Sequence, residues 1–159
     1  MSPYRFIPLE TSIAEKVRST LRDDAGNQLS AWTSDSDGAP CRHCLRTTQR
    51  GERLILFAYR PFDESGPYAE LGPIFVHAET CDRYDEHAGL PGDFATRPLT
   101  LRSYGATERG SLSIVDAVVA PPGEAETALE RLFADGRAAF VHARNPAWGC
   151  FDFIVERAR

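Results

Sequence analysis

A chain of 159 residues with 42% apolar and 26% charged side chains has the make-up of one soluble globular domain, long enough to bury roughly two thirds of its unfolded surface without help from a metal or a disulfide. A net charge of −5, with no run of Lys or Arg, excludes the basic face that phosphate binding needs, so no nucleic-acid partner is expected. No stretch approaches the roughly 18 apolar residues of a membrane span, and the start lacks a basic segment followed by an apolar core, so the expectation is a cytoplasmic protein without a membrane partner.

In chain order, residues 4–9 alternate as a short strand. Thr11 or Ser12 is placed to cap a helix, Ser12 with Glu15 three positions on having the form of a capping box, and Ile13, Val17 and Leu21 recur at four-residue spacing, which predicts a helix over 12–23. Residues 32–40 are rich in Ser, Asp and Gly and read as loop. After a turn at 48–51, the apolar and aromatic run 54–59 reads as a central strand stopped by Pro61. Gly66, Pro67, Gly72 and Pro73 supply turn chemistry for a wide hairpin that pairs 54–59 antiparallel with a strand at 74–78. Residues 82–98 read as an ordered polar surface loop. Strands follow at 99–104, with Leu99, Leu101 and Ser103 on one face, and at 112–120. Leu129, Leu132 and Phe133 lie at helical spacing, with glutamates early and arginines late as the helix dipole favours, which predicts a helix over 123–135. Strands at 138–143 and 150–156 close the chain. The sum is a single domain over 1–159, α+β, with a mainly antiparallel sheet and two amphipathic helices.

Four cysteines, at 41, 44, 81 and 150, in a chain without an export signal read as reduced thiols, metal ligands or redox groups rather than disulfides. Cys41-x2-Cys44 has zinc-knuckle spacing, and His77-x3-Cys81 adds an imidazole and a thiolate one short loop apart, the donors of a Cys3His tetrahedral zinc site. The two chain reversals at 49–51 and 63–73 would return both pairs to one end of the sheet. Ordinary buried thiols, a Cys41/Cys44 redox pair, and a Cys81 or Cys150 nucleophile activated by His77 or His142 stay open as alternatives. The tetrapeptide Phe-Val-His-Ala occurs twice, at 75–78 and 140–143, and in each copy Phe and His share a strand face. If those strands were neighbours, His77 and His142 would flank one small-molecule pocket, with Arg102, Tyr104, Arg144 and Asn145 as anion-binding donors. His43 and His87, in polar loops, are expected to be solvated.

The segments Pro40-Cys41-Arg42-His43-Cys44-Leu45, Tyr59-Arg60-Pro61-Phe62, Gly66-Pro67-Tyr68-Ala69-Glu70, Gly72 to His77 with Cys81, Arg144-Asn145 and Gly149-Cys150 together resemble the bacterial family catalogued as domain of unknown function 1203. The resemblance covers nearly the whole chain. It implies a stand-alone cytosolic domain and carries no assigned reaction, ligand or catalytic residue. The reading from the residues is therefore a small-molecule or metal-binding domain, zinc being the metal the donors suit. A hydrolytic or thiol-dependent enzyme using His77 or His142 with a cysteine, and a structural interaction module, are the competing classes; oligomeric state is not legible.

Overall fold

A computed structural model describes residues 1–159. Eight strands and three helices occur in the order β1 (Tyr4–Ile7), α1 (Thr11–Thr20), β2 (Ala31–Thr33), β3 (Arg53–Tyr59), β4 (Gly72–His77), α2 (Gly92–Ala95), β5 (Leu99–Ala106), β6 (Leu112–Ala120), α3 (Ala125–Ala134), β7 (Phe140–Arg144) and β8 (Phe151–Arg157). They form a five-stranded sheet in the order β1-β8-β7-β5-β6 and a three-stranded sheet in the order β2-β3-β4. Every ladder in both sheets is antiparallel, so the fold is α+β. No helix is long and apolar enough to cross a membrane.

Period-two alternation decides what each face of the large sheet does. Leu99, Leu101, Val141, Ala143, Phe153 and Val155 are all buried and pack with Leu129, Leu132 and Phe133 of α3 into the larger core cluster. The opposite face carries Arg102 and Tyr104 of β5 and Phe140, His142 and Arg144 of β7, with Arg102 directly across from His142 and Tyr104 from Phe140. A second core lies under the small sheet, where Ile55, Phe57, Ile74 and Val76 meet Ala14 and Val17 of α1 and Phe151 of β8.

Several expectations are corrected. Residues 32 and 33, placed in a loop, belong with Ala31 to edge strand β2, which pairs with β3; at three residues it is too short to show a pattern, and it exists because β3 offers a free edge. The polar stretch 82–98 contains α2, whose Phe94 is fully buried and meets Phe153 edge-on at 5.1 Å. Helix α1 begins at Thr11 behind Glu10 and has no side-chain cap, so Ser12 and Glu15 form no capping box. It ends at Thr20, because Leu21 takes the left-handed conformation. The β3–β4 hairpin has the expected direction, with Leu54 opposite His77 and Ile55 opposite Val76.

Candidate metal centre

Cys41 to Arg46 is a tight reversal that sequence chemistry holds from several sides. Its backbone closes through Cys41 N–H to the Arg46 carbonyl at 3.0 Å and Leu45 N–H to the Cys41 carbonyl at 2.9 Å. Leu45 occupies the left-handed region at φ 53, a conformation costing a leucine about 1–2 kcal/mol; its burial in the larger core offsets that cost. Outside the turn, Arg42 N–H donates to the Phe75 carbonyl of β4 at 3.0 Å, and Tyr84 N–H to the His43 carbonyl at 3.0 Å. The Arg42 side chain, buried with its partner Asp152, donates to the carbonyls of Phe151 and Pro40, each at 2.7 Å, and Nη2 lies 3.2 Å from Asp152 Oδ1. That last contact is an ion pair without hydrogen-bond alignment, since Oδ1 accepts no hydrogen bond. Burial lowers the Arg42 guanidinium from its ordinary value and pushes the Asp152 carboxyl up to about 6, against the pull of Arg42.

The turn places both its thiols against the end of β4. One donor atom from each of Cys41, Cys44, His77 and Cys81 lies within 4.8 Å of all the others. Cys41 Sγ and Cys81 Sγ are 3.9 Å apart, and Cys44 Sγ is 3.5 Å from His77 Nδ1. Cys41 Sγ also accepts the backbone N–H of His77 at 3.3 Å. On the far side of the imidazole, Nε2 faces Thr48 Oγ1 and Glu52 Oε2, each at 3.5 Å. Glu52 is itself held by Arg46 at 2.7 Å and by Gln49 N–H at 2.7 Å, and these contacts hold its carboxyl down at about 2.

Hydrogen bonds from Cys44 and then Cys81 push the Cys41 thiol strongly towards thiolate, while the bond to Cys41 pushes Cys44 up. The Cys41 and Cys81 sulfurs raise His77 to about 9, outweighing its burial. One sulfur of the group is thus driven towards the anion while its neighbour keeps its proton, and the imidazole is drawn towards the balancing positive charge.

Two residues of this centre escaped the sequence reading, and one of them corrects it. His43 was expected in solvent; it is buried at 1% exposure, with Nε2 2.9 Å from Thr11 Oγ1 and Nδ1 3.3 Å from Cys81 Sγ. Arg18, from the last turn of α1, reaches Cys81 Sγ with Nη2 at 3.2 Å and the His77 carbonyl with Nε at 3.0 Å. No local signal marks either residue, because both contacts are long-range.

Residues 38–157 match the family described as "Protein of unknown function (DUF1203)". The chain belongs to that family. Neither the curated proteins nor the solved structures contain a match. In this DUF1203 protein the expected His77–His142 pocket does not form, because the two Phe-Val-His-Ala copies lie in different sheets. β4 pairs with β3 while β7 pairs with β5 and β8, and the two histidines share no contact partner. His142 instead packs against Phe62 at 4.6 Å, Tyr104 at 4.8 Å and Phe151 at 4.9 Å. Arg102, Tyr104, His142 and Arg144 do converge on one face, and Asn145 does not join them: its side-chain oxygen accepts the N–H groups of Ala147 and Trp148 within the β7–β8 turn. Cys150 has only the Trp148 carbonyl as a partner, at 3.8 Å, and His87 is exposed.

Proposed function

We propose that this domain binds a single zinc ion through Cys41 Sγ, Cys44 Sγ, Cys81 Sγ and His77 Nδ1. The observation that carries the reading is the mutual approach of three sulfurs and one imidazole nitrogen within 4.8 Å. Zinc bonds of about 2.3 Å to sulfur and about 2.0 Å to nitrogen put tetrahedral ligands roughly 3.8 Å apart for a sulfur pair and roughly 3.6 Å for a sulfur–nitrogen pair. The Cys41–Cys81 and Cys44–His77 separations of 3.9 Å and 3.5 Å already match; the wider pairs, none beyond 4.8 Å, have to close, and rotation of the Cys side chains supplies that movement. Four protein donors of this softness suit a closed structural site, with no position left for a substrate. Glu52 and Thr48 then fix the imidazole from its second nitrogen, as the outer partners of metal-bound histidines do. Arg18 offsets the surplus negative charge of three thiolates around a dication at Cys81.

Cobalt substitution tests this directly. Tag-free protein titrated with Co2+ should show the intense visible bands of tetrahedral thiolate-bound cobalt, saturating at one equivalent and displaced by zinc. A titration giving only the weak spectrum of hydrated cobalt would sink the proposal.

A second reading rests on one observation, that Cys81 is partly exposed in a shallow groove of about 290 Å3 with Glu52, Arg53 and Glu79, next to His43 and Arg18. In that reading Cys81 is a reactive thiol in a metal-free protein. Its signature is rapid alkylation confined to Cys81, unchanged by added zinc, whereas a metal site protects Cys41, Cys44 and Cys81 together.

A further inference from the structure

The face of the large sheet that turns away from α3 holds a polar cluster the zinc reading does not use. Arg144 is buried to 4% exposure and His142 to 0%. Arg144 Nη1 donates to the Gly149 carbonyl at 3.1 Å, and Nη2 lies 3.4 Å from His142 Nδ1. A guanidinium only donates, so Nδ1 must be the acceptor and the imidazole is neutral with its proton on Nε2. Burial and the neighbouring Arg144 and Arg102 charges favour the same form by lowering the imidazole well below its usual value. His142 Nε2 and Arg144 Nε have no hydrogen-bond partner. The Pro61 carbonyl lies close enough to act on the imidazole, but Nε2 makes no hydrogen bond of adequate distance and angle. Both orphaned groups are therefore donors, in a place where an unmet donor is destabilising. What the cluster lacks is an acceptor.

The segment 61–71 lies over this face and contributes two groups to it. The Phe62 ring packs on His142 and, at 5.2 Å, on Tyr104. The Glu70 carboxylate meets Arg102 Nη1 at 2.8 Å and Arg144 at 3.5 Å, while Arg102 Nη1 also donates to the Tyr104 hydroxyl at 3.3 Å. Glu70 is nonetheless half exposed, at 49% of its side chain. Its contact with Arg144 is long, and it leaves both buried donors unmet. A phenyl ring on aromatic walls and a carboxylate on two arginines is the recognition pattern for an aryl carboxylate, held here by a segment of the chain that satisfies it incompletely.

We propose that Arg102, Arg144, Tyr104 and His142 form a binding site for a small aromatic carboxylate, and that Phe62 and Glu70 occupy it in the ligand-free protein as an internal competitor. The two ion pairs of Glu70 are partly exposed and individually weak, so a free ligand can displace them, and its carboxylate would supply the acceptor the buried donors lack.

The test uses benzoate as the probe, followed by NMR titration of the full-length protein, with Glu70→Gln to remove the internal carboxylate. Glu70→Gln should bind benzoate saturably and about tenfold more tightly than the unaltered protein, with shifts centred on the His142 ring. Glu70→Gln combined with Arg102→Met should lose that binding. Arg102 is at the accessible edge of the cluster, so this variant avoids the folding risk of changing buried Arg144. Three results would overturn the proposal: no saturable binding to Glu70→Gln, equal binding with and without Arg102, or binding of inorganic phosphate as tight as that of benzoate.

Discussion

Replacing Cys41 by serine is the perturbation from which the zinc proposal makes its most quantitative claim. Cys41 is fully buried and contacts Cys81 at 3.9 Å, so its loss removes one of four donors from the interior of the cluster rather than from its rim. The larger core cluster contains none of the four donors, so the variant should still fold, and the effect of zinc appears as ligand-linked stabilisation. With free zinc at 1,000 times its dissociation constant, binding to the native state alone contributes about 4.1 kcal/mol. In a domain of 150–250 residues each kcal/mol moves Tm by about 2–4 °C, so zinc should raise the Tm of the unaltered protein by about 8–16 °C. Calorimetry with saturating zinc and again with excess chelator measures that interval. Cys41→Ser should abolish it, while Cys150→Ser, at a thiol with no part in the cluster, should leave it unchanged. An interval of equal size in Cys41→Ser, or equimolar zinc recovered from that variant, would refute the ligand assignment.

Three further outcomes follow from the same contacts. Glu52→Gln removes the carboxylate behind His77 Nε2 without touching a donor, and should weaken zinc binding about 10–100-fold in a chelator competition; unchanged affinity would mean that Glu52 does not orient the ring. Asp152, with a folded pKa of about 6 against an ordinary value of 3.8, holds its proton more tightly when folded, so its stabilising contribution is full below pH 3.8 and is lost as pH rises through about 6. That gap corresponds to about 3 kcal/mol, so the stability of the unaltered protein relative to Asp152→Asn, from urea unfolding, should decline by about that amount between about pH 4 and about pH 7; a difference independent of pH would refute the assignment. At Gly105 an added Cβ would overlap the backbone carbonyl oxygen of Arg137 and crowd Val115. Gly105→Ala should therefore cost about 3 kcal/mol or more and lower Tm by at least about 6 °C, whereas a Tm unchanged within error would show that β5 can move.

The parts of the fold that could be read in advance were those governed by short-range pattern. Helix α3 and the strands β3 to β8 announce themselves by periodicity and by Gly and Pro punctuation, because each buries one face against a continuous core and must therefore show that face in sequence. β2 and α2 do not. β2 has three residues and α2 four, too few to display a period. The capping-box reading failed for a related reason: Ser12 and Glu15 have the right spacing, but the N-cap position falls on Glu10, two residues earlier, next to Leu9, whose N–H is bonded to the Arg42 carbonyl. A long-range bond thus set a boundary that local chemistry would have placed elsewhere.

The same distinction separates the two candidate sites. Cys41, Cys44, His77 and Cys81 could be grouped from sequence because each pair is local and the chain reversals between the pairs carry visible turn residues. The repeated Phe-Val-His-Ala led the other way, towards a His77–His142 pocket, because identical strands look like neighbours. Which sheet a strand joins depends on its edges. β4 is claimed by the hairpin to β3, leaving β7 to be flanked by β5 and β8. Once that choice is made, the two histidines acquire opposite chemistry. His77, beside the Cys41 and Cys81 sulfurs, is pushed up towards its cation. His142, buried beside two arginines, is held neutral. A histidine among anionic sulfurs is disposed to bind a metal cation once it gives up its proton. One that shares a buried face with two guanidinium groups has no such use, and its unmet N–H is complementary to an anion. On the two proposals the duplicated motif presents one histidine to a cation and the other to a carboxylate, and the difference lies in the charges that tertiary structure brings alongside each.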